Sequence, residues 1–208
     1  MAKKKKEKAE PQSVLYYFYT RERWDNWMNT LSECDFEGDP ESEDMPEGYE
    51  KLEIFVKDVT ISVLKILKLY AQGKFAKDTA EAKINEVEGF VLNGEVPENE
   101  LGDIINSVRV SMLVLFSSSM KFLEGEKVDD VKKLVAEGRK SIDKDPEQAL
   151  DTASLIGASI LGGAKWSKTF MNTKSDPTLF DDWLSEIETM KDEYKTLEKF
   201  EEEFGEGV

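Results

Sequence analysis

Apolar residues in this chain recur three and four apart, and glycine or proline closes each run. Trp24, Trp27, Met28 and Leu31 stand at i, i+3, i+4 and i+7, and longer rows of the same period follow. That spacing puts the apolar side chains on one face of a helix. Strand and helix patterns do not alternate, so a parallel α/β sheet is not supported. The chain reads as an all-α, single-domain helical bundle of six to seven helices.

Start and stop signals divide it. Thr20 can cap a first helix running to about Glu33, with Glu22 in its first turn. Val14 to Tyr19 is aromatic, β-prone and short, and is expected to lie extended against the bundle. Cys34 to Gly48 carries two prolines, two glycines and seven carboxylates, so it reads as an acidic loop. A long helix from about Tyr49 to Gln72 places Leu52, Phe55, Val56, Val59, Val63, Ile66, Leu67 and Tyr70 on one stripe. Ile54, Ile61 and Leu69 fall off that stripe. Gly73 supplies the stop. A third helix, about Asp78 to Leu92, ends at Asn93-Gly94, and a fourth, about Glu98 to Glu124, ends at Gly125. The fourth is apolar on more than one face through Val110, Leu113 and Val114, which predicts a central helix or a subunit interface.

Two further helices, about 129–142 and 145–162, form a tetratricopeptide-like hairpin near 129–163. Asp145-Pro146-Glu147 supplies a cap, a proline at the first position and an acid in the first turn of the second. A row of Ala149, Ala153 and Gly157 permits a close neighbour. No second copy of the hairpin appears at a fixed period, so a solenoid is not expected. A last helix from about Pro177 to Phe204 carries Phe180, Trp183, Leu184, Ile187, Met190, Tyr194 and Leu197 in a coiled-coil-like seam. The second, fourth and sixth helices are expected to be the most buried. Residues 1–13, with Lys3 to Lys6 and Lys8, read as a disordered basic arm, 14–200 as the helical domain with its loop at 34–48, and 201–208 as a frayed acidic tail.

Composition removes chemistries. There is no histidine, and Cys34 is the single cysteine. Imidazole catalysis, Ser-His-Asp and Cys-His systems, disulfides within the chain and cysteine metal clusters are therefore absent. With 44 acidic and 28 basic side chains, the formal charge is −16. An acidic surface repels phosphate backbones, so nucleic acid is not an expected partner except through the N-terminal arm. Val110 to Met120 and Thr152 to Ala164 are the longest charge-free apolar runs, short of the ~20 residues a membrane span needs. Without an apolar signal segment, the chain reads as cytoplasmic.

The remaining chemical candidates are weak. Gly157 to Lys165 looks like a phosphate-binding loop, but the lysine does not directly follow the second glycine and no Ser or Thr follows it. Asp39, Glu41, Glu43 and Glu50 occupy calcium-loop positions, yet Asp44 stands where glycine is needed. Cys34 has no adjacent base, and acidic neighbours oppose a thiolate. Glu47, Glu50 and Glu53, with Glu100 and Asp103, have the i, i+3 spacing that brackets magnesium in all-α nucleotide pyrophosphohydrolases.

The stretch FYTRERWDNWMNTL, Phe18 to Leu31, resembles the opening of a family of archaeal proteins from methanogens and halophiles known only as a domain of unknown function. KDVTISVLKILKLYAQGK, DIINSVRVSMLVLF and DPEQALDTASLIGASIL extend the resemblance to about Tyr194. Tyr19, Thr20, Glu22, Arg23, Trp24 and Trp27 are its most specific part. The resemblance implies an archaeal cytoplasm, and it brings no assigned activity or catalytic residue. No cofactor is expected.

The expected function is therefore a non-enzymatic protein–protein interaction or regulatory module, a homo-oligomer being one form of it, with Trp24, Trp27, Trp183 and Tyr194 as interaction candidates. The alternatives are a magnesium-dependent nucleotide hydrolase working through Glu50, Glu53, Glu100 and Asp103, and an RNA- or ribosome-associated factor working through Lys3 to Lys6.

Overall fold

The computed structural model describes residues 19–37, 45–171 and 176–204, with only the backbone for 199–204. The lysine arm, Val14 to Phe18, the loop acids Asp39, Glu41, Glu43 and Asp44, and residues 205–208 lie outside the described residues.

Among the described residues seven α-helices follow one another: α1 Arg21–Ser32, α2 Glu47–Ala71, α3 Lys77–Asn93, α4 Glu100–Glu124, α5 Lys132–Ser141, α6 Pro146–Leu161 and α7 Leu179–Phe204. A 3-10 turn, Lys168–Phe170, precedes α7. No strand occurs among the described residues.

The ends are set by the expected chemistry at several places. Thr20 Oγ1 accepts the Arg23 amide at 3.2 Å, and Asp145 Oδ1 accepts the Gln148 amide at 3.0 Å, each satisfying a free N–H of a first turn. Gly73 and Gly125 adopt φ of +70° and +78°, where a side chain would strain the backbone.

Four starts differ from the sequence reading by two or three residues, that of α2, at Glu47 rather than Tyr49, among them. α4 begins after Asn99, whose side chain accepts the Gly102 amide at 3.3 Å. α5 begins at Lys132 because Asp130 Oδ1 takes the Lys132 amide at 3.0 Å, a local turn that delays the helix. α7 begins at Leu179, where Asp181 reaches back to Thr178 as in the carboxylate half of a capping box: the Thr178 amide and hydroxyl both donate to Asp181 Oδ2, at 3.0 and 2.9 Å.

Helix α4 lies at the centre, packed by α2, α3, α6 and α7. By length and composition it is the one described helix that could cross a membrane, yet Met112, Val114, Leu115 and Phe116 are buried within the chain. Its extra apolar faces therefore meet neighbouring helices, and only Val110 stays substantially exposed. The seam of α7 is likewise internal: Phe180, Trp183, Leu184, Ile187 and Met190 are all buried. The surplus faces of α4 and most of the α7 seam are thus covered inside one copy, because four neighbours surround α4 and α7 closes the bundle. As expected, α2, α4 and α6 bury residues along most of their length, and α5 with α6 forms a hairpin over the expected stretch.

Small residues let α6 wedge against α4. Buried hydroxyls there donate back along their own helices, as Ser119 does to Leu115 O at 2.7 Å and Ser154 to Leu150 O at 2.7 Å. Ser118 Oγ is the exception, with no partner among the described residues. A Cβ built on Gly157 would stand 2.1 Å from that oxygen and 2.8 Å from Ser118 Cβ. Gly157→Ala therefore destabilises by about 2 kcal/mol, the range for overpacking a close contact, despite the better helix propensity of alanine. Ser118→Gly in the same chain returns much of the loss. Urea melts of wild type and the two variants check this; a single Gly157→Ala melt equal to wild type would refute it.

Candidate interaction surface

The tyrosine-to-tryptophan stretch of α1 and the facing side of α2 build one structure. One helical turn separates Arg23 from Trp27, so both reach the same residue of α2. Arg23 Nε donates to Asp58 Oδ2 at 2.7 Å and Arg23 Nη2 donates to Asp58 Oδ1, a bidentate fork. Trp27 Nε1 donates to Asp58 Oδ2 at 2.8 Å. Asp58 is mostly enclosed while Arg23 is about half exposed. Behind this network, Phe55 meets Trp24 and Trp27 edge-on, with ring centroids 5.9 and 5.8 Å away. Tyr19 is buried with Arg23 5.8 Å from its ring centre, and its hydroxyl has no partner among the described residues. Burial, and then the Asp58 charge, push that phenol well above its ordinary value.

Arg109 of α4 fixes the far side. Its guanidinium lies 5.3 Å from the Trp24 ring centre, and its Nε donates to Val91 O at 2.8 Å while Nη2 donates to Gly94 O. A cation at the C-terminal end of α3 is favoured by the helix dipole. Trp24 is therefore a core residue joining α1, α2 and α4.

An open groove of about 310 Å³ remains between α1 and α2, lined by Arg23, Asn26, Trp27 and Thr30 from one helix and Lys51 and Ile54 from the other. Ile54 is 51% exposed. Among the described residues, three of the four exposed large apolar side chains, Met45, Tyr49 and Ile54, stand in α2 or just before it. Tyr49 packs edge-on to Phe36, and the Gly48 amide donates to Asp35 O at 2.8 Å, which ties the two sides of the acidic loop together.

The four interaction candidates separate. Trp24 and Trp183 are buried, and Trp183 Nε1 donates inward to Val110 O at 3.0 Å, so neither ring faces a partner in the folded chain. Tyr194 is half-buried under Lys68, whose Nζ is 4.7 Å from the ring centre. Trp27 alone lines the groove. Sequence reasoning missed Arg23, Asp58, Lys51 and Ile54 as members of one site. The signal for Ile54 was its place off the apolar stripe of α2; the Asp58 contact spans 35 residues and left no local trace.

Glu50, Glu53, Glu100 and Asp103 are all exposed. Among the described residues no three of the Asp, Glu and Cys side chains converge where a metal ion could sit. Cys34 is half-buried; burial and then the Glu47 carboxylate push its thiol up, away from a thiolate.

Asp58→Ala leaves the Trp27 N–H without its acceptor and Arg23 without its fork. Because Arg23 is half exposed and can rehydrate, the expected loss is about 1–2 kcal/mol, below that for a fully buried pair. Asp58→Asn, which keeps one acceptor oxygen, loses less. Chemical denaturation of both variants checks the order, and equal losses would remove the assigned role of the Trp27 bond.

No curated protein and no solved structure matches the chain. A family model matches it from residue 17 to residue 203, so that it takes in α1 with its opening motif, α2 and the groove between them. The chain belongs to that family, the uncharacterised proteins conserved in archaea designated DUF2150.

Proposed function

We propose that this protein is a non-enzymatic binding module of the archaeal cytoplasm that docks a segment of another protein in the groove between α1 and α2. The observation that carries the reading is Ile54: a large apolar side chain half in water, beside a tryptophan whose ring is held at the groove wall by Asp58. Isolated exposed apolar residues are common, but here the exposure adjoins a shaped groove with an aromatic wall. Among the described residues no three carboxylates converge on one point, and the thiol of Cys34 is pushed up; both favour binding over catalysis.

Photo-crosslinking tests it. A benzoylphenylalanine placed at Ile54 in the native organism is expected to give a discrete adduct, and one placed at exposed Lys140 of α5 is not. The purified adduct partner then binds wild type and loses at least about tenfold in affinity with Ile54→Asp. Equal labelling from both positions, or an affinity indifferent to Ile54→Asp, defeats the proposal. An adduct between two copies of this chain would turn it into self-association.

A further inference from the structure

We infer that the occupant of the α1–α2 groove is an acidic segment carrying one bulky apolar side chain; this rests on the reading of the groove as a docking site. The chain as a whole carries a net −16, yet no carboxylate lines the groove. Its two charged lining residues are Arg23 and Lys51, one from each helix. Glu50 and Glu53 share α2 with Lys51 but do not line it. Both charges that line the groove are thus positive, each with one carboxylate outside the lining, Asp58 at Arg23 and Glu47 at Lys51.

Both cations have capacity left. Asp58 takes Arg23 Nε and Nη2, and Nη1 has no acceptor among the described residues. Lys51 Nζ meets Glu47 only at 3.9 Å, and the lysine is 40% exposed. A carboxylate arriving at Arg23 finds the guanidinium already oriented by Asp58, so little side-chain freedom is lost on binding. Between the cations, Trp27 and Ile54 offer an apolar floor, and Asn26 and Thr30 offer side-chain hydrogen bonds. The volume, about 310 Å³, is at the small end for ligand pockets and the groove is open, which suits one side chain on an extended or helical segment more than an enclosed molecule. A basic segment would meet Arg23 and Lys51 with like charge.

A phage-displayed dodecapeptide library selected on wild type, and counter-selected on a Lys51→Glu/Ile54→Asp variant of unchanged circular dichroism, decides the matter. The expected winners carry Asp and Glu around one Trp, Phe or Leu. As synthetic fluorescent peptides they bind with affinity that falls at least about tenfold in Lys51→Glu and weakens as salt is raised. If the groove-dependent peptides are basic or uncharged and indifferent to Lys51→Glu, the acidic partner is wrong while the docking site stands. If no recovered peptide depends on the groove, both the partner and the docking reading fall.

Discussion

Replacing Asp181 by alanine lowers the unfolding free energy by about 3 kcal/mol. This carboxylate is buried, and each of its oxygens accepts two hydrogen bonds. Oδ1 takes Arg139 Nε at 3.0 Å and Nη2 at 2.7 Å, and Oδ2 takes the Thr178 amide and hydroxyl. Arg139 Nη2 also reaches Phe170 O at 2.5 Å, so one side chain joins α5, the 3-10 turn and the start of α7. Removing one partner of a buried pair costs roughly 3–5 kcal/mol when the other is stranded. Arg139 is about a third exposed and recovers part of its hydration, which places the loss at the lower end. Loss of the α7 cap adds to it. Asp181→Asn keeps one acceptor oxygen and is expected to lose about half as much. The same substitution removes a charge that, after burial itself, pushes the Asp182 carboxyl up, so Asp182 titrates closer to its ordinary range. Urea denaturation with carboxyl-resolved NMR titration checks both statements; an alanine variant within 1 kcal/mol of wild type would sink the structural one.

The Arg139–Asp181 tie also marks where sequence reading stops. Helix period, caps at Thr20 and Asp145, and left-handed stops at Gly73 and Gly125 are local, since each depends on residues within a turn or two. They were legible, and with them the all-α bundle and the burial of α2, α4 and α6. The half-box at Thr178 was missed because an aspartate three residues on, where glutamate is usual, reads as one more acid in an acidic helix. The start of α2 at Glu47 is set from a distance. Gly48 sits where any Cβ would be 2.7 Å from Asp35 O and from the Phe36 ring, a packing fact that no window of α2 contains.

The candidate site divides in the same way. The Tyr19–Trp27 motif stood out on composition and order. What makes it a site is its contact with Asp58 and Ile54 on another helix. Two tryptophans three apart on one apolar row are alike in sequence; in the fold Trp24 turns inward onto Arg109 and Trp27 ends at the groove. Aromatic content named both rings and could not separate the buried one, Trp24, from the groove-lining one, Trp27.

Glu186 gives the second large effect, and its sign is opposite to that of a paired carboxylate. It lies on α7 one turn after Asp182, its Oε2 is sealed from solvent, and that oxygen has no partner among the described residues. Burial, and then the Asp182 charge, push its carboxyl up to about 7 from an ordinary 4.5. The folded chain thus holds a proton that the unfolded chain releases above pH 4.5. Between that value and about 7, unfolding sheds the proton, so stability falls as pH rises across this window and is level on either side. The shift corresponds to about 3 kcal/mol of penalty, complete at pH 8 and absent at pH 4, since each unit is worth about 1.4 kcal/mol. Glu186→Met, similar in length and without charge or an orphaned oxygen, is expected to be more stable than wild type by about 3 kcal/mol at pH 8, with the gain vanishing below pH 5. Glu186→Gln removes the same slope but leaves an amide N–H to be placed, so its gain at pH 8 is smaller. Guanidinium melts at closely spaced pH values separate the cases. A gain for Glu186→Met that is the same at pH 4 and pH 8 would mean that better packing, not a relieved charge, stabilises the variant.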